Sequence, residues 1–513
     1  MISQPAYMPY DVPTLIAAGI TLLILYYLLG DLFSPLHDIK GPTLTRYTRL
    51  WELYKNWQGQ LEHVTVALHK QYGPIVRLAP NRYSISDPTA IRTIYGPGSK
   101  FSKSDFYTPF GSPSMDHKDV FSETINEKHA LERKKTSNMY AMSSLVSYEP
   151  FVDKVNGEFM AALAGHAQHG RVFDLFTWMQ FYAFDVIGEI TLGRSFGLIE
   201  AGYDKDGLLH AVHVASISYG SMAGLIPEIH PWYVWFQNVV PIESHWKVTQ
   251  RVISREIDTR MKGVSTSDRK DFLAKCIELN EAGKLDHSTI NNVISANIGA
   301  GSDTTGISMS AVIYFLMKHP HCLQKLRDEI ETAAGQGNLS NPVTFQEGQK
   351  LSYLQATIKE ALRLHAAVGQ ILSRVVPEGG AEIAGRHFPQ GTVVGVNAWV
   401  IHSDESIWGK DVHEFRPERW LVGKEQLAFL DRNFLGVGPV LRQMKQVVLT
   451  GLQFGAGART CIGKNISLLE MTKLLPQLVR QFDFVPAGDS QCTTSSGWFV
   501  KQSIKVKVID IAR

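Results

Sequence analysis

Cys461 is the one cysteine of four with a patterned neighbourhood. The segment Phe454-Gly-Ala-Gly-Ala-Arg-Thr-Cys-Ile-Gly463 fits the pattern FxxGxRxCxG at Phe454, Gly457, Arg459, Cys461 and Gly463. Chance would give that match with a probability of roughly 10⁻⁷ per starting position. Each residue type has a physical use. Glycines allow a tight turn and close approach to a flat cofactor. Cys461 precedes a helix-like run from Lys464, where N-terminal N–H groups and the helix dipole favour a thiolate. Arg459 can pair with a carboxylate, and Phe454 can pack beside the sulfur and limit water access. A buried structural cysteine is the commoner case for an isolated Cys; the complete pattern reverses that preference. Cys276, Cys322 and Cys492 are scattered, with neither zinc-like spacing nor a disulfide framework, so the soluble part is expected to face a reducing compartment.

The cysteine segment resembles the haem-binding loop of the cytochrome P-450 superfamily. The resemblance implies haem b as cofactor, Cys461 as the axial iron ligand and Arg459 on a propionate, and three further motifs fall in the family's order. Ala300-Gly-Ser-Asp-Thr-Thr305 lies in mid-helix, where Gly299, Gly301 and an acid are poor choices for stability alone. The Thr304 hydroxyl can bond the Ala300 carbonyl and bend the helix locally. Asp303 and Thr304 resemble the family's acid–alcohol pair, the candidate catalytic residues, which handle protons. Glu360 and Arg363 share one helix face, and Phe415-Arg-Pro-Glu-Arg-Trp420 matches the segment supplying a second arginine. The implied role of Glu360, Arg363 and Arg419 is a structural cluster behind the haem. His129-Ala-Leu-Glu-Arg133 stands where the family commonly has WxxxR, so His129 and Arg133 are expected on a propionate, with His129 keeping an N–H donor. Arg374 matches another propionate-binding arginine.

The resemblance covers essentially the whole chain, and Arg374-Val-Val-Pro-Glu-Gly-Gly380 with Gly497-Trp-Phe-Val500 is similar to fungal enzymes related to pisatin demethylase, many of them in secondary metabolism. It implies an oxygen-dependent monooxygenase that hydroxylates or demethylates a hydrophobic small molecule. Electrons would come from NADPH only indirectly, through a membrane-bound reductase docking near Lys134 and Lys135, while the thiolate favours O–O cleavage. Two rivals stay open: a haem-thiolate isomerase or dehydratase that does not use oxygen, against which the intact Asp303-Thr304 pair argues, and a non-catalytic haem or lipid binder. The expected substrate walls are residues 100–121, 208–241, 366–372, 493–500 and the helix before Gly299, which are apolar and aromatic but name no substrate. Two departures stand out. Ala366 follows His365 where a proline is common. The interval from Trp420 to Cys461 is long, with the excess in Val437 to Gln453, either a meander insertion or a translated intron.

The elements that must hold these residues read as mainly α with small β-sheets. Ile75–Leu78 and Tyr83–Ile85 are β-like, most of Glu127–Leu209 is helical, and Gly220–Pro241 is irregular rather than one clean helix. Long helices are predicted over Ser288–Lys318 and Leu351–His365, with strands at Ala381–Ile383 and Thr392–Val396. No linker or repeat divides the 513 residues, and 44% hydrophobic with 19% charged residues suits one large core. With 51 basic and 49 acidic residues, the charge balance gives no support to nucleic-acid binding.

Ahead of this body, Val12 to Gly30 is apolar and free of charge. Such a run spans roughly 28 Å as a helix, near the thickness of a bilayer core. Residues 1–34 are therefore expected to form a single-pass anchor, and 35–513 the monooxygenase domain. The nearby basic residues Lys40, Arg46 and Arg49 follow the span, and no Lys or Arg precedes it. That places the body in the cytosol, on the endoplasmic reticulum membrane, and argues against a cleaved signal. The sequons at Asn338 and Asn465 should then carry no glycan.

Overall fold

The periodic stretch ahead of Pro320 forms one helix, His287–Lys318, which is the spine of the protein. It starts where the Asp286 carboxylate accepts from the Thr289 N–H, and stops at His319, the residue restricted by the following proline. The computed structural model in which it is seen describes residues 12–111, 118–214, 219–240, 245–262, 270–434 and 454–511. The spine packs along helix Leu175–Leu192, whose sequence is mostly apolar and whose residues are all buried except Thr177. Gly306 makes this contact close, since a Cβ there would stand 3.0 Å from the Gln180 Cα. On another side, the Thr305 and Ser467 hydroxyls meet at 2.8 Å and tie the spine to helix Lys464–Gln481, which follows the cysteine loop. Thus the loop carrying Cys461 and the Asp303-Thr304 segment are referenced to one another through packed helices.

Among the described residues, twelve short strands form four small sheets. The largest joins β1 (Ile75–Ala79), β2 (Arg82–Ile85), β3 (Ser102–Lys103), β5 (Arg374–Val375) and β8 (Val393–Gly395) in the order β1-β2-β8-β5-β3. Its register sets Arg374 opposite both Lys103 and Val394. The second sheet is β4 (Phe173–Asp174), β12 (Lys505–Asp510) and β9 (Phe482–Pro486), with β12 central. Two hairpins complete the set: β6 (Ala381–Ile383) with β7 (Arg386–Phe388), and β10 (Thr493–Ser496) with β11 (Val500–Ser503). A bridge between Val368 and Phe499 joins this last hairpin to the loop after helix Ser352–Leu364.

The mainly helical architecture with small sheets agrees with the sequence reading. It differs over 220–240, which orders into helices Tyr219–Leu225 and His230–Val239 around a 3₁₀ turn at Pro227–Ile229. The prolines misled the sequence reading: Pro227 and Pro231 sit in first turns, where no intrahelical N–H bond is lost. The N-terminal run does form a helix, Val12–Leu32. Among the described residues, however, no helix is long and apolar enough to cross a membrane; side chains 12, 16, 20, 23, 24, 26 and 27 lie outside the described set. The transmembrane expectation thus has no support in the fold. The Val437–Gln453 stretch, read as either a meander insertion or a translated intron, also lies outside the described residues.

Widening the spine contact should be costly. Gly306→Val is expected to destabilise the protein by about 1–3 kcal/mol through overpacking against Gln180, seen as a lower denaturant midpoint with an unchanged slope.

Candidate active site

The cysteine loop is closed by its own backbone. Cys461 N–H donates to the Phe454 carbonyl at 2.6 Å, and Thr460 donates to the Gly457 carbonyl through both N–H and hydroxyl. Gly457 has φ +64°, and a Cβ there would lie 1.9 Å from the Tyr95 carbonyl oxygen, so both conformation and space demand glycine. Helix Lys464–Gln481 begins immediately beyond, and Phe454 is buried at the loop's start. Cys461 keeps an open face although protein crowds its other sides. Burial pushes its thiol up; the Gly463 and Lys464 N–H groups and the charges of Arg133 and Lys464 act against this without overcoming it. The helix terminus therefore favours the thiolate, as the sequence suggests, but a bound cation is needed to complete the deprotonation.

Beside the loop lies a cavity of about 680 Å³ whose walls include Tyr95, His129, Arg133, Arg374 and Arg459. His129 and Arg133 come from the basic helix Asn126–Thr136, Arg374 from β5 and Arg459 from the cysteine loop. Lys103, which the sequence reading missed, joins them. β3 places it opposite Arg374, with its ammonium 4.3 Å from the Tyr107 and Phe121 ring centroids. Burial, then the neighbouring cations, lowers three of these groups: His129 falls to about 3, Arg459 to about 10 and Lys103 well below its usual range. Burial alone lowers Arg133. Among the described residues none of Lys103, Arg133, Arg374 and Arg459 makes an ion pair. Arg459 bonds the Glu123 carbonyl (2.6 Å), the Thr124 carbonyl and Asn126 Oδ1 (2.8 Å), tying the loop to the start of the basic helix. Arg374 bonds the Ser373 carbonyl (2.9 Å) and the Tyr107 hydroxyl (3.3 Å).

On the spine, Ala300 is exposed and Thr304 half-buried, just ahead of the fully buried stretch 305–310. These two share one helix face, and the Thr304 hydroxyl donates to the Ala300 carbonyl at 2.9 Å. The result is an open strip at mid-helix. Asp303 does not share it. Its carboxylate is buried on another flank against the Gln180 amide, Lys501 Nζ (3.3 Å) and His213 Nδ1 (3.7 Å). Burial pushes that carboxyl up, but Lys501 and His213 more than offset it and hold it below the ordinary carboxylate range.

Glu360, Arg363 and Arg419 do come together, fully buried. Glu360 takes a two-pronged contact from Arg363 (2.8 and 3.0 Å), Arg419 Nε at 3.2 Å and the Trp420 indole N–H at 2.9 Å. The other Arg363 donors reach the His402, Val412 and Glu414 carbonyls; those of Arg419 reach the Trp408 carbonyl and Asp411. From the expected substrate walls, Phe106, Tyr107, Phe110 and Phe121 gather around Trp498 with ring centroids 5.3 to 6.0 Å away.

The family model for cytochrome P450 matches residues 40–509. This chain belongs to the cytochrome P450 family. A pisatin demethylase of Fusarium vanettenii is 38% identical over 493 residues, covering 94% of this chain and 92% of that protein. A cytochrome P450 monooxygenase of Penicillium aethiopicum is 34% identical, covering 95% and 96%. Another, from Emericella nidulans, is 32% identical, covering 92% and 91%. The protein is thus a P450 monooxygenase, whose cofactor is haem b with NADPH acting through a reductase. The residues present fit that group: an open sulfur, a loop that glycine brings close, and a cavity ringed by cations that have no ion-pair partner among the described residues suit a flat iron-bearing dianion.

The Glu360 cluster generates a sharp expectation for this P450. Glu360→Gln leaves the buried Arg363 without its counter-charge and Arg419 with Asp411 alone, and should cost about 3–5 kcal/mol. Haem content per chain and the unfolding midpoint should fall together.

Proposed function

We propose that this P450 is an oxygen-dependent haem-thiolate monooxygenase that hydroxylates or demethylates a hydrophobic small molecule in fungal secondary-metabolite biosynthesis. The observation that carries the reading is the open Cys461 sulfur beside a cavity of uncompensated cations. Haem, when bound, supplies oxygen activation, with the thiolate pushing electron density toward O–O cleavage. Cys461 would ligate its iron; His129, Arg133, Arg374 and Arg459 would hold the propionates; Phe454 would shield the sulfur. The Thr304 hydroxyl holds a proton at the open strip of the spine, and Asp303 supplies protons from the buried flank. The ring cluster around Trp498 supports an apolar or aromatic substrate, and the pisatin demethylases favour demethylation of the two reactions. Electrons arrive from an NADPH reductase on the cysteine side, where Lys134 and Lys135 are exposed on the basic helix.

The test is the carbon-monoxide difference spectrum of the dithionite-reduced protein beside Cys461→Ser. A strongly red-shifted Soret band, lost in the variant, is expected; folded protein without a haem signal refutes the reading. NADPH and oxygen consumption with product formation, pisatin serving as first probe substrate, then separates a monooxygenase from an oxygen-independent isomerase or a mere haem binder.

The same reading places the protein on the endoplasmic reticulum membrane, body in the cytosol. In support, the helix Val12–Leu32 exposes Leu15, Leu22, Leu25, Leu28, Leu29 and Leu32, and helix His230–Val239 exposes Trp232, Trp235 and Phe236. Arg49 bonds Glu228 across the interval between the two regions. Deleting residues 1–34 should shift most of the protein from the microsomal pellet to the supernatant, and Asn338 should carry no glycan. Asn338 is the informative sequon because it is exposed, whereas the Asn465 amide is engaged with the Tyr140 carbonyl at 3.0 Å. Full sedimentation of the truncated chain, or glycan on Asn338, would refute this placement.

A further inference from the structure

The Asp303 carboxylate is shared out unequally. Oδ1 accepts from the Gln180 amide and from Lys501 Nζ at 3.3 Å. Oδ2 faces His213 Nδ1 at 3.7 Å. Lys501 also donates to that same Nδ1 at 2.8 Å, and its ammonium lies 5.4 Å from the Phe176 ring centroid. The three groups come from separate parts of the chain: Asp303 from the spine, Lys501 from β11, and His213 from the end of helix Leu208–Val212. They also form a gradient toward solvent, with side-chain exposure of 2% at Asp303, 20% at Lys501 and 33% at His213.

We infer that His213 and Lys501 form the port through which solvent protons reach Asp303, with His213 carrying the proton and Lys501 acting as the positioning residue. This rests on the oxygen-dependent reading above, since only that chemistry consumes protons here. An imidazolium gives its Nδ1 proton to Asp303 Oδ2, leaving neutral imidazole and a carboxylic acid with no change in total charge. The freed Nδ1 then accepts from Lys501, the bond seen in the structure. The ring then turns Nδ1 away from Lys501 toward solvent, where water restores its proton, and Asp303 passes its own inward and returns to carboxylate. The gap of 3.7 Å is one that a small ring rotation closes or one water bridges. Lys501 keeps Oδ1 occupied, so that Oδ2 is the oxygen left to load. A carboxylate this deep would otherwise hold its proton rather than cycle it.

The assay uses the full-length haem-loaded enzyme with NADPH and a P450 reductase, without organic substrate, and measures how reduced oxygen divides between peroxide and water. Lys501→Met, His213→Gln and Asp303→Asn should each raise the peroxide share several-fold and enlarge the solvent deuterium isotope effect on NADPH oxidation. Lys501→Arg should restore the wild-type share, a rescue that a packing defect does not give. A readout independent of turnover is a double-mutant cycle on the unfolding midpoint. Lys501→Met and Asp303→Asn should be non-additive, the pair together no worse than the weaker single variant. Additive midpoints, or an unmoved peroxide share in both port variants beside an uncoupled Asp303→Asn, overturn the port. A wild-type enzyme that binds haem but oxidises no NADPH overturns the oxygen-dependent reading itself.

Discussion

Lys103, Arg133, Arg374 and Arg459 are drawn from four separate parts of the chain into and around one cavity, and their mutual repulsion is the constraint around which the rest of the fold is arranged. Like charges at second-neighbour range inside a protein repel by on the order of 2 kcal/mol a pair. Burial adds its own penalty, visible in the depression of Arg459 to about 10 and of His129 to about 3. A fold tolerates this only if backbone and rings hold the cations in place until an anion arrives. That is what the contacts do: Arg459 is anchored on the Glu123 carbonyl, Arg374 on the Ser373 carbonyl, and Lys103 between two rings. The site is preorganised for a dianion, so the cofactor relieves strain that the apoprotein carries.

The Glu360 cluster makes the opposite arrangement, and the contrast explains why one is rigid support and the other a binding site. Both Arg363 and Arg419 use all their N–H donors on protein acceptors, and both Glu360 oxygens are multiply satisfied. A buried charge network that is fully bonded repels ligands as effectively as an apolar core does. Packed behind the spine, it fixes helix Ser352–Leu364 against the segment that leads toward the cysteine loop. Motifs with similar arginine content therefore differ in function by whether the acceptors come from the protein.

What was legible in the sequence was what chemistry compresses into a short spacing. The FxxGxRxCxG loop, the Thr304 to Ala300 bond and the Glu360–Arg363 pair are local, and type and spacing alone predict their contacts. Lys103, Gln180, His213 and Lys501 were invisible because nothing near them in sequence shows which side chain they meet. Lys103 becomes meaningful only through the β3–β5 register, and Lys501 only because the C-terminal hairpin folds back onto the spine. The same limit applies to Arg459, whose residue type predicts a carboxylate partner while the fold gives it two carbonyls and an asparagine. Proline misled in the other direction at 227 and 231, since a helix breaker in mid-run and a helix starter in a first turn look alike in sequence.

The placement of Asp303 and Thr304 on different flanks of one helix turns a sequence pair into two stations. Thr304 looks onto the open strip with Ala300, where its hydroxyl already spends its proton on a carbonyl. Asp303 looks away, into a pocket where burial favours the neutral acid and two basic neighbours favour the carboxylate. The basic neighbours outweigh burial, so the resting group is a carboxylate in a site that burial alone would keep neutral. A carboxylate in open water would stay ionised, and one buried without Lys501 would stay neutral. Placing the acid one residue from the alcohol but around the helix from it lets the chain tune each separately, while the single turn of backbone they share keeps the distance between them fixed.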